Sequence, residues 1–215
     1  MQIEPGTPTD ASDPDLGPVE RLPLPDADLQ LFHQLPLGAS TTDLFQALQA
    51  ETPWREESIT LFGKTYLQPR LMAWYGDPDA HYRYSGKTYA PLPWTNLLLK
   101  LRDRMQQLAE APLNSVLLNY YRDGRDSMGL HADDEPELGP APVIASLSLG
   151  EARKLYFRHK RERGREGLDV TLTDGSVLLM RGATQANWKH GIRKLARPCG
   201  PRINLTFRQV QHGQA

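Results

Sequence analysis

The 215 residues, 39% apolar and 24% charged with 18 Pro and 17 Gly, exclude collagen, a continuous coiled coil and wholesale disorder, and one globular domain accommodates them. No run approaches about 18 apolar residues, and the start MQIEPGTPTD has neither a basic nor an apolar leader segment. A cytoplasmic, non-secreted chain without membrane contact is therefore expected, nucleoid-associated if bacterial, and a monomer suffices. The net charge of −1 hides a basic body, because residues 1 to 30 hold seven acids against Arg21 while Gly175 to the end has no acid at all. That imbalance favours a polyanionic partner such as nucleic acid.

Residues 1–27 are rich in Pro, Asp and Gly and short of aromatics, so an acidic mobile tail is expected there, followed by a single domain over 28–215. Ser40 and Asp43 form a loose capping box ahead of Leu44, Phe45 and Leu48, which predicts a helix over Ser40–Ala50. A second helix is predicted over Thr95–Glu110, where Leu97, Leu101, Met105 and Leu108 share a face behind Pro91-Leu92-Pro93. Elsewhere β-rich segments recur: Ser58–Phe62, Leu71–Tyr75, Val116–Tyr121, Val143–Leu149, Lys154–Arg158, Leu168–Leu172, Ser176–Met180 and Arg202–Arg208. Short strands with flanking helices predict a mainly β, α+β architecture with a double-sheet jelly roll rather than a parallel sheet.

The chain holds one cysteine, Cys199, so any metal must be held by histidine and carboxylate. His131-Ala-Asp133 offers two such groups on one side of an extended segment. With 6 His in the chain, a His-x-Asp arises by chance about 0.4 times, so this pair alone decides little. His190, in Asn187-Trp-Lys-His-Gly191, supplies the third member of a two-histidine, one-carboxylate set that leaves positions open on Fe(II), although a histidine beside a tryptophan is commonly just packed. In Arg202-Ile-Asn-Leu-Thr-Phe-Arg208 the apolar face is Ile203, Leu205 and Phe207, and the polar face Arg202, Asn204, Thr206 and Arg208. Two arginines on one side suit a small dicarboxylate, since guanidinium and carboxylate pair as forks, and Asn119 and Tyr121 repeat the pattern just before His131.

In this order and with these separations, Asn119-Tyr-Tyr121, His131-Ala-Asp133, His190 and Arg202–Arg208 resemble the AlkB family of Fe(II)- and 2-oxoglutarate-dependent dioxygenases, over about residues 58–210. The resemblance implies that His131, Asp133 and His190 hold Fe(II), with 2-oxoglutarate and O2 as cosubstrates. It implies that Arg202, helped by Tyr121, pairs with the distal carboxylate of 2-oxoglutarate and Arg208 with the one near the metal, with Asn119 and Asn204 adding hydrogen bonds. It further implies oxidative demethylation of bases such as 1-methyladenine and 3-methylcytosine in DNA, with release of formaldehyde, succinate and CO2.

On the substrate side, Phe62–Arg70, Tyr82–Gly86 and Asp134-Glu135 resemble the eukaryotic homologues that act on duplex DNA. In that branch an apolar residue at the position of Phe62 fills the gap left by a flipped base, within a nucleotide-recognition lid over about 58–90 that also carries Arg70. The base would stack between Tyr84 and His131, with Tyr82, Ser85, Asp134 and Glu135 at its polar edge. Extrusion is physically required, because a stacked base cannot reach a metal. The basic run Arg153–Arg165 holds seven Lys and Arg against Glu162, and Arg158, Lys160, Arg161 and Arg163 are candidates for phosphate contact. An RNA or protein substrate within the same superfamily, or a catalytically inactive nucleic-acid-binding module, would share most of these features.

Overall fold

The computed structural model describes residues 17–61, 64–80, 82–84 and 87–211, with only the backbone path for 59–61, 64, 82–84 and 87–89. The described strands are β1 (Val19–Arg21), β2 (Asp28–Phe32), β3 (Arg55–Leu61), β4 (Lys64–Gly76), β5 (Tyr82–Tyr84), β6 (Lys87–Tyr89), β7 (Ser115–Tyr121), β8 (Met128–His131), β9 (Ile144–Gly150), β10 (Arg153–His159), β11 (Asp169–Leu172), β12 (Val177–Arg181), β13 (Trp188–Ile192) and β14 (Arg202–Arg208). Helices α1 (Thr41–Glu51), α2 (Asn96–Ala109) and the short α3 (Thr184–Asn187) complete the fold.

An eight-stranded sheet, ordered β1-β2-β12-β9-β14-β7-β4-β3, faces a four-stranded sheet, β11-β10-β13-β8, as the predicted jelly roll requires. β14 sits near the middle of the larger sheet, antiparallel to β7 on one side and β9 on the other, and all seven of its residues are buried. Strict alternation therefore serves two interiors at once. Ile203, Leu205 and Phe207 face outward, and with Val116, Leu118, Ala145 and Leu147 they form a core covered by Leu44 and Leu48 of α1 and by Leu98, Leu101, Met105 and Leu108 of α2. On the inner face, Leu29, Leu31, Leu178 and Met180 pack against Leu155, Phe157, Val170 and Ile192 of the smaller sheet.

Both predicted helices form, each with a capped start. Ser40 Oγ accepts from the Asp43 backbone N–H at 3.1 Å and donates to the Asp43 carboxylate at 2.6 Å, so cap and third residue support one another. Thr95 Oγ1 caps α2 by accepting from the Leu98 N–H at 3.2 Å, and Glu110, at φ 50, ends it in the left-handed region. Leu98 is fully buried on α2, whereas Leu97, expected in that stripe, is only partly so.

Two expectations are revised. Part of the stretch expected as a tail is built into the fold: Val19–Arg21 pair with Gln30–Phe32, Leu24 is buried, and the Pro25 carbonyl accepts from Trp188 Nε1 at 2.9 Å. Asp26, at φ 58, forms an ion pair with Arg165 at 2.8 Å. A few well-spaced apolar residues anchor this segment, which its average composition conceals. The eight predicted strands also undercount: β1, β2, β5, β6, β8 and β13 are not among them, and β4 runs through Pro69 back to Lys64.

Candidate metal and cosubstrate site

The smaller sheet brings the two histidines together. β13 lies between β10 and β8, and its register sets His190 directly opposite His131 and, on its other side, Phe157. The histidine rings lie 4.4 Å apart between centroids. The register shifts between His190 and Ile192, where Gly191 allows β8 to approach: a Cβ there would sit 2.8 Å from the Met128 carbonyl and 3.1 Å from that of Gly129. Asp133 follows β8, and one ligand atom from each of His131, Asp133 and His190 falls within 4.8 Å of the others.

Each of the three is held for this purpose. His131 Nδ1 lies 3.0 Å from the Gly129 carbonyl; a carbonyl only accepts, so Nδ1 carries the proton and Nε2 keeps its lone pair. The Asp133 N–H donates to Gln185 Oε1 at 2.9 Å, and Arg208 Nη2 donates to Asp133 Oδ1 at 2.6 Å. Burial alone would raise the Asp133 pKa, but Arg208 and then the two histidines outweigh it and keep the carboxyl below its usual range. For His190, burial and then neighbouring His131 push the pKa down to about 3, so the ring is neutral and can donate electrons. Asp133 Oδ2 lies 3.6 Å from His190 Nε2 and, with His190 Nδ1, is buried without a hydrogen-bond partner among the described residues. A buried, unsatisfied carboxylate oxygen beside two imidazoles is costly unless a cation completes it, so these residues fit Fe(II).

Beside the histidines, a cavity between the sheets is lined by Tyr121, Ser146, Arg202, Asn204, Thr206 and Arg208. Arg202 Nη2 donates to Ser148 Oγ at 2.9 Å, while its Nε and Nη1 are buried without partners among the described residues. Its guanidinium lies 5.2 Å from the Tyr121 ring centroid, and burial pushes its pKa down to about 10. Asn204 Nδ2 donates to Ser146 Oγ at 2.8 Å and its Oδ1 accepts from Thr206 Oγ1 at 3.0 Å. A buried cation with unsatisfied donors suits a carboxylate-bearing cosubstrate. Tyr121 gives its hydroxyl to Met128 Sδ at 3.7 Å, and Asn119, opposite Asn204 in the register, accepts from Arg70 Nε through its Oδ1 at 2.7 Å.

A larger cavity, of about 150 Å³, opens on the other side of His131 and Asp133 and is lined among others by Glu57, Gln68, Arg70, Met72, Trp74 and Glu135. It separates the paired carboxylates of the sequence reading. Glu135 lines the cavity, whereas Asp134 is exposed and accepts from Lys160 Nζ at 2.7 Å. Phe62 and Ser85 lie outside the described residues, as do the side chains of Tyr82 and Tyr84.

The basic run divides in the same way. Arg153 is buried and donates to the carbonyls of Asp123, Asp126 and Arg193, pinning the turn before β8. Arg158 donates to the Phe157 carbonyl and lies 3.9 Å from Asp169, Lys160 is tied to Asp134, and Arg165 is tied to Asp26. Arg161 and Arg163 are exposed and form no ion pair among the described residues. Reading the sequence alone missed Gln185, Ser146, Ser148, Met128 and Gly191. Their signal is positional: they act through strand register, which no local motif encodes.

Two facing sheets around two histidines and a buried carboxylate, next to an arginine-lined cavity, define the class of jelly-roll, non-haem Fe(II) oxygenases. The profile of the 2OG-Fe(II) oxygenase superfamily matches residues 28–208. A mouse protein described as alpha-ketoglutarate-dependent dioxygenase alkB homolog 3 is 42% identical over 175 residues, covering 78% of this chain and 60% of that protein. Mouse DNA oxidative demethylase ALKBH2 is 38% identical over 181 residues, covering 80% of this chain and 76% of that protein, and its Arabidopsis thaliana counterpart is 34% identical over 201 residues. The chain therefore belongs to the AlkB branch of the 2OG-Fe(II) oxygenase superfamily, whose cofactor and cosubstrates are Fe(II), 2-oxoglutarate and O2. It spans 60% of the length of the alkB homolog 3 relative. The solved structure of OsALKBH1, at 18% identity and a TM-score of 0.61, covers 89% of this chain and all of that one, and has the same fold. Among the described residues, no helix is long and apolar enough to cross a membrane.

Proposed function

We propose that this protein is an Fe(II)- and 2-oxoglutarate-dependent dioxygenase that removes alkyl groups oxidatively from N-alkylated bases such as 1-methyladenine and 3-methylcytosine in DNA. The observation that carries this reading is the larger cavity against His131 and Asp133, with Glu135 and Arg70 on its wall. Similarity to proteins named DNA oxidative demethylase supports the same substrate class.

Fe(II) held by His131, Asp133 and His190 would supply, with 2-oxoglutarate and O2, the oxidation that leaves succinate, CO2, formaldehyde and the repaired base. The protein binds, orients and excludes. Arg202, stacked on Tyr121, takes the distal carboxylate of 2-oxoglutarate; Arg208 takes the carboxylate near the metal; Asn204 and Asn119 supply amide hydrogen bonds. Methylation at these ring positions leaves a cationic base, and Glu135 is the carboxylate that meets it in the cavity. Asp134 instead ties the loop after the ligands to the basic hairpin through Lys160. Within the lid over 58–90, Phe62 enters the stack behind the extruded base, with Tyr82, Tyr84 and Ser85 around that base. Arg161 and Arg163, exposed at the hairpin tip, grip backbone phosphates in a salt-sensitive way.

The test is mass spectrometry of an oligonucleotide carrying 1-methyladenine or 3-methylcytosine, as single strand and as duplex, incubated with iron and 2-oxoglutarate. Loss of the methyl mass with the wild type and not with His131→Ala is expected. Salt-dependent binding without succinate formation on either strand form would overturn the reading in favour of a binding module, and turnover on RNA alone would move the substrate class.

A further inference from the structure

Arg70 is an unusual side chain to find inside a sheet. It lies on the inner face of β4, is 4% exposed, and among the described residues its side-chain hydrogen bonds go to two amide oxygens: Nη2 donates to Gln68 Oε1 and Nε to Asn119 Oδ1, each at 2.7 Å. Both acceptors are neutral, so a buried positive charge is stabilised by amide dipoles instead of a carboxylate, an arrangement that costs stability unless it does something else. Arg70 and Gln68 line the larger cavity; Asn119, 1% exposed, is directly opposite Asn204 of β14 in the register. A two-bond relay thus runs from the cavity proposed for the base to the strand proposed to hold 2-oxoglutarate.

The chemistry of this relay is directional. Arg carries only donors, so the end of the Asn119 amide that faces Arg70 must be the oxygen. β7 lies between β4 and β14, so fixing the oxygen toward β4 turns the NH2 end toward β14. An amide free to flip would offer an acceptor as readily as a donor there, and an acceptor repels carboxylate or keto oxygens. Resting on the dioxygenase reading above, we propose that Arg70 is a positioning residue for the cosubstrate: it locks the Asn119 amide so that a donor is presented to 2-oxoglutarate, and so couples the two cavities. Occupancy of the base cavity next to Arg70 then changes 2-oxoglutarate affinity, and 2-oxoglutarate changes base affinity by the same factor.

The experiment is calorimetry of 2-oxoglutarate binding to the full chain loaded with Mn(II), which requires no turnover. Arg70→Met is expected to weaken binding about tenfold, as Asn119→Leu does, and the double variant is expected to lose no more than either single one, because the two residues act as one unit. Arg70→Lys keeps the buried cation and one donor, so it is expected to fold if Arg70→Met does not and to lose less affinity. Unchanged 2-oxoglutarate affinity in Arg70→Lys and Arg70→Met, with only oligonucleotide binding weakened, overturns the proposal and leaves Arg70 a base-side residue. Losses that multiply in the double variant overturn it as well. Failure of the wild type to bind 2-oxoglutarate in the presence of Mn(II) would instead sink the dioxygenase reading itself, and this inference with it.

Discussion

The two faces of β14 are buried equally and do opposite things. Outward, Ile203, Leu205 and Phe207 lie under α1 and α2 in a core whose contacts are dispersive and non-directional. Inward, Arg202, Asn204, Thr206 and Arg208 are just as dry, yet each makes a directed bond, to Ser148, Ser146, Asn204 and Asp133 respectively. The outer face contributes stability, and the inner face uses some of it to hold a buried cation ready for an anion. Burial therefore says nothing by itself about whether a residue supports the fold or the site.

Substitutions along this strand separate the two roles. Phe207→Ala should have the largest effect, a loss of about 3–5 kcal/mol in denaturant unfolding, with 2-oxoglutarate affinity of the folded fraction unchanged. Next, Arg202→Met should reduce 2-oxoglutarate affinity by about a hundredfold while leaving the melting temperature equal or higher, since it removes a buried, incompletely paired charge. If Arg202→Met unfolded as readily as Phe207→Ala, the contrast between the faces would collapse.

The same variant carries a pH signature. Because burial pushes Arg202 down to about 10, the folded chain releases that proton more readily than the unfolded one. The cost of the charge is therefore complete at neutral pH and shrinks as pH rises past 10. The stability advantage of Arg202→Met should be constant near neutrality and narrow in alkaline unfolding curves; a constant difference up to strongly alkaline pH would show that the arginine is not penalised by burial. Smallest of all, Thr206→Val should cost about 1 kcal/mol of stability and a few-fold in 2-oxoglutarate affinity, by releasing the Asn204 amide. An unchanged affinity on calorimetry would place Asn204 outside the cosubstrate contacts.

What could be read from the sequence was what is encoded locally. The cap at Ser40, the apolar spacing within Thr95–Glu110 and the alternation of Arg202–Arg208 involve neighbours in the chain, and they correspond to α1, α2 and β14. The pairing of His131 with His190 is not local: it depends on β8 and β13, which have mixed composition, with β13 paired to β10 on one side and to β8 on the other. Asp134 and Glu135 are adjacent and chemically similar, yet Asp134 turns outward to Lys160, twenty-six positions away, while Glu135 faces the cavity. Arg153 counts as surface charge in the sequence, but three backbone carbonyls make it an interior strut.

The segment ahead of β2 bears on where this protein can be cut. The superfamily match opens at Asp28, and a boundary drawn there would discard Pro25 and Asp26, the partners of the Trp188 indole and the Arg165 guanidinium, together with the buried Leu24. Trp188 is two residues from His190 on the same strand, so trimming to the shared boundary would loosen the anchor of a proposed metal ligand. The span of the superfamily match and the folding unit begin at different residues.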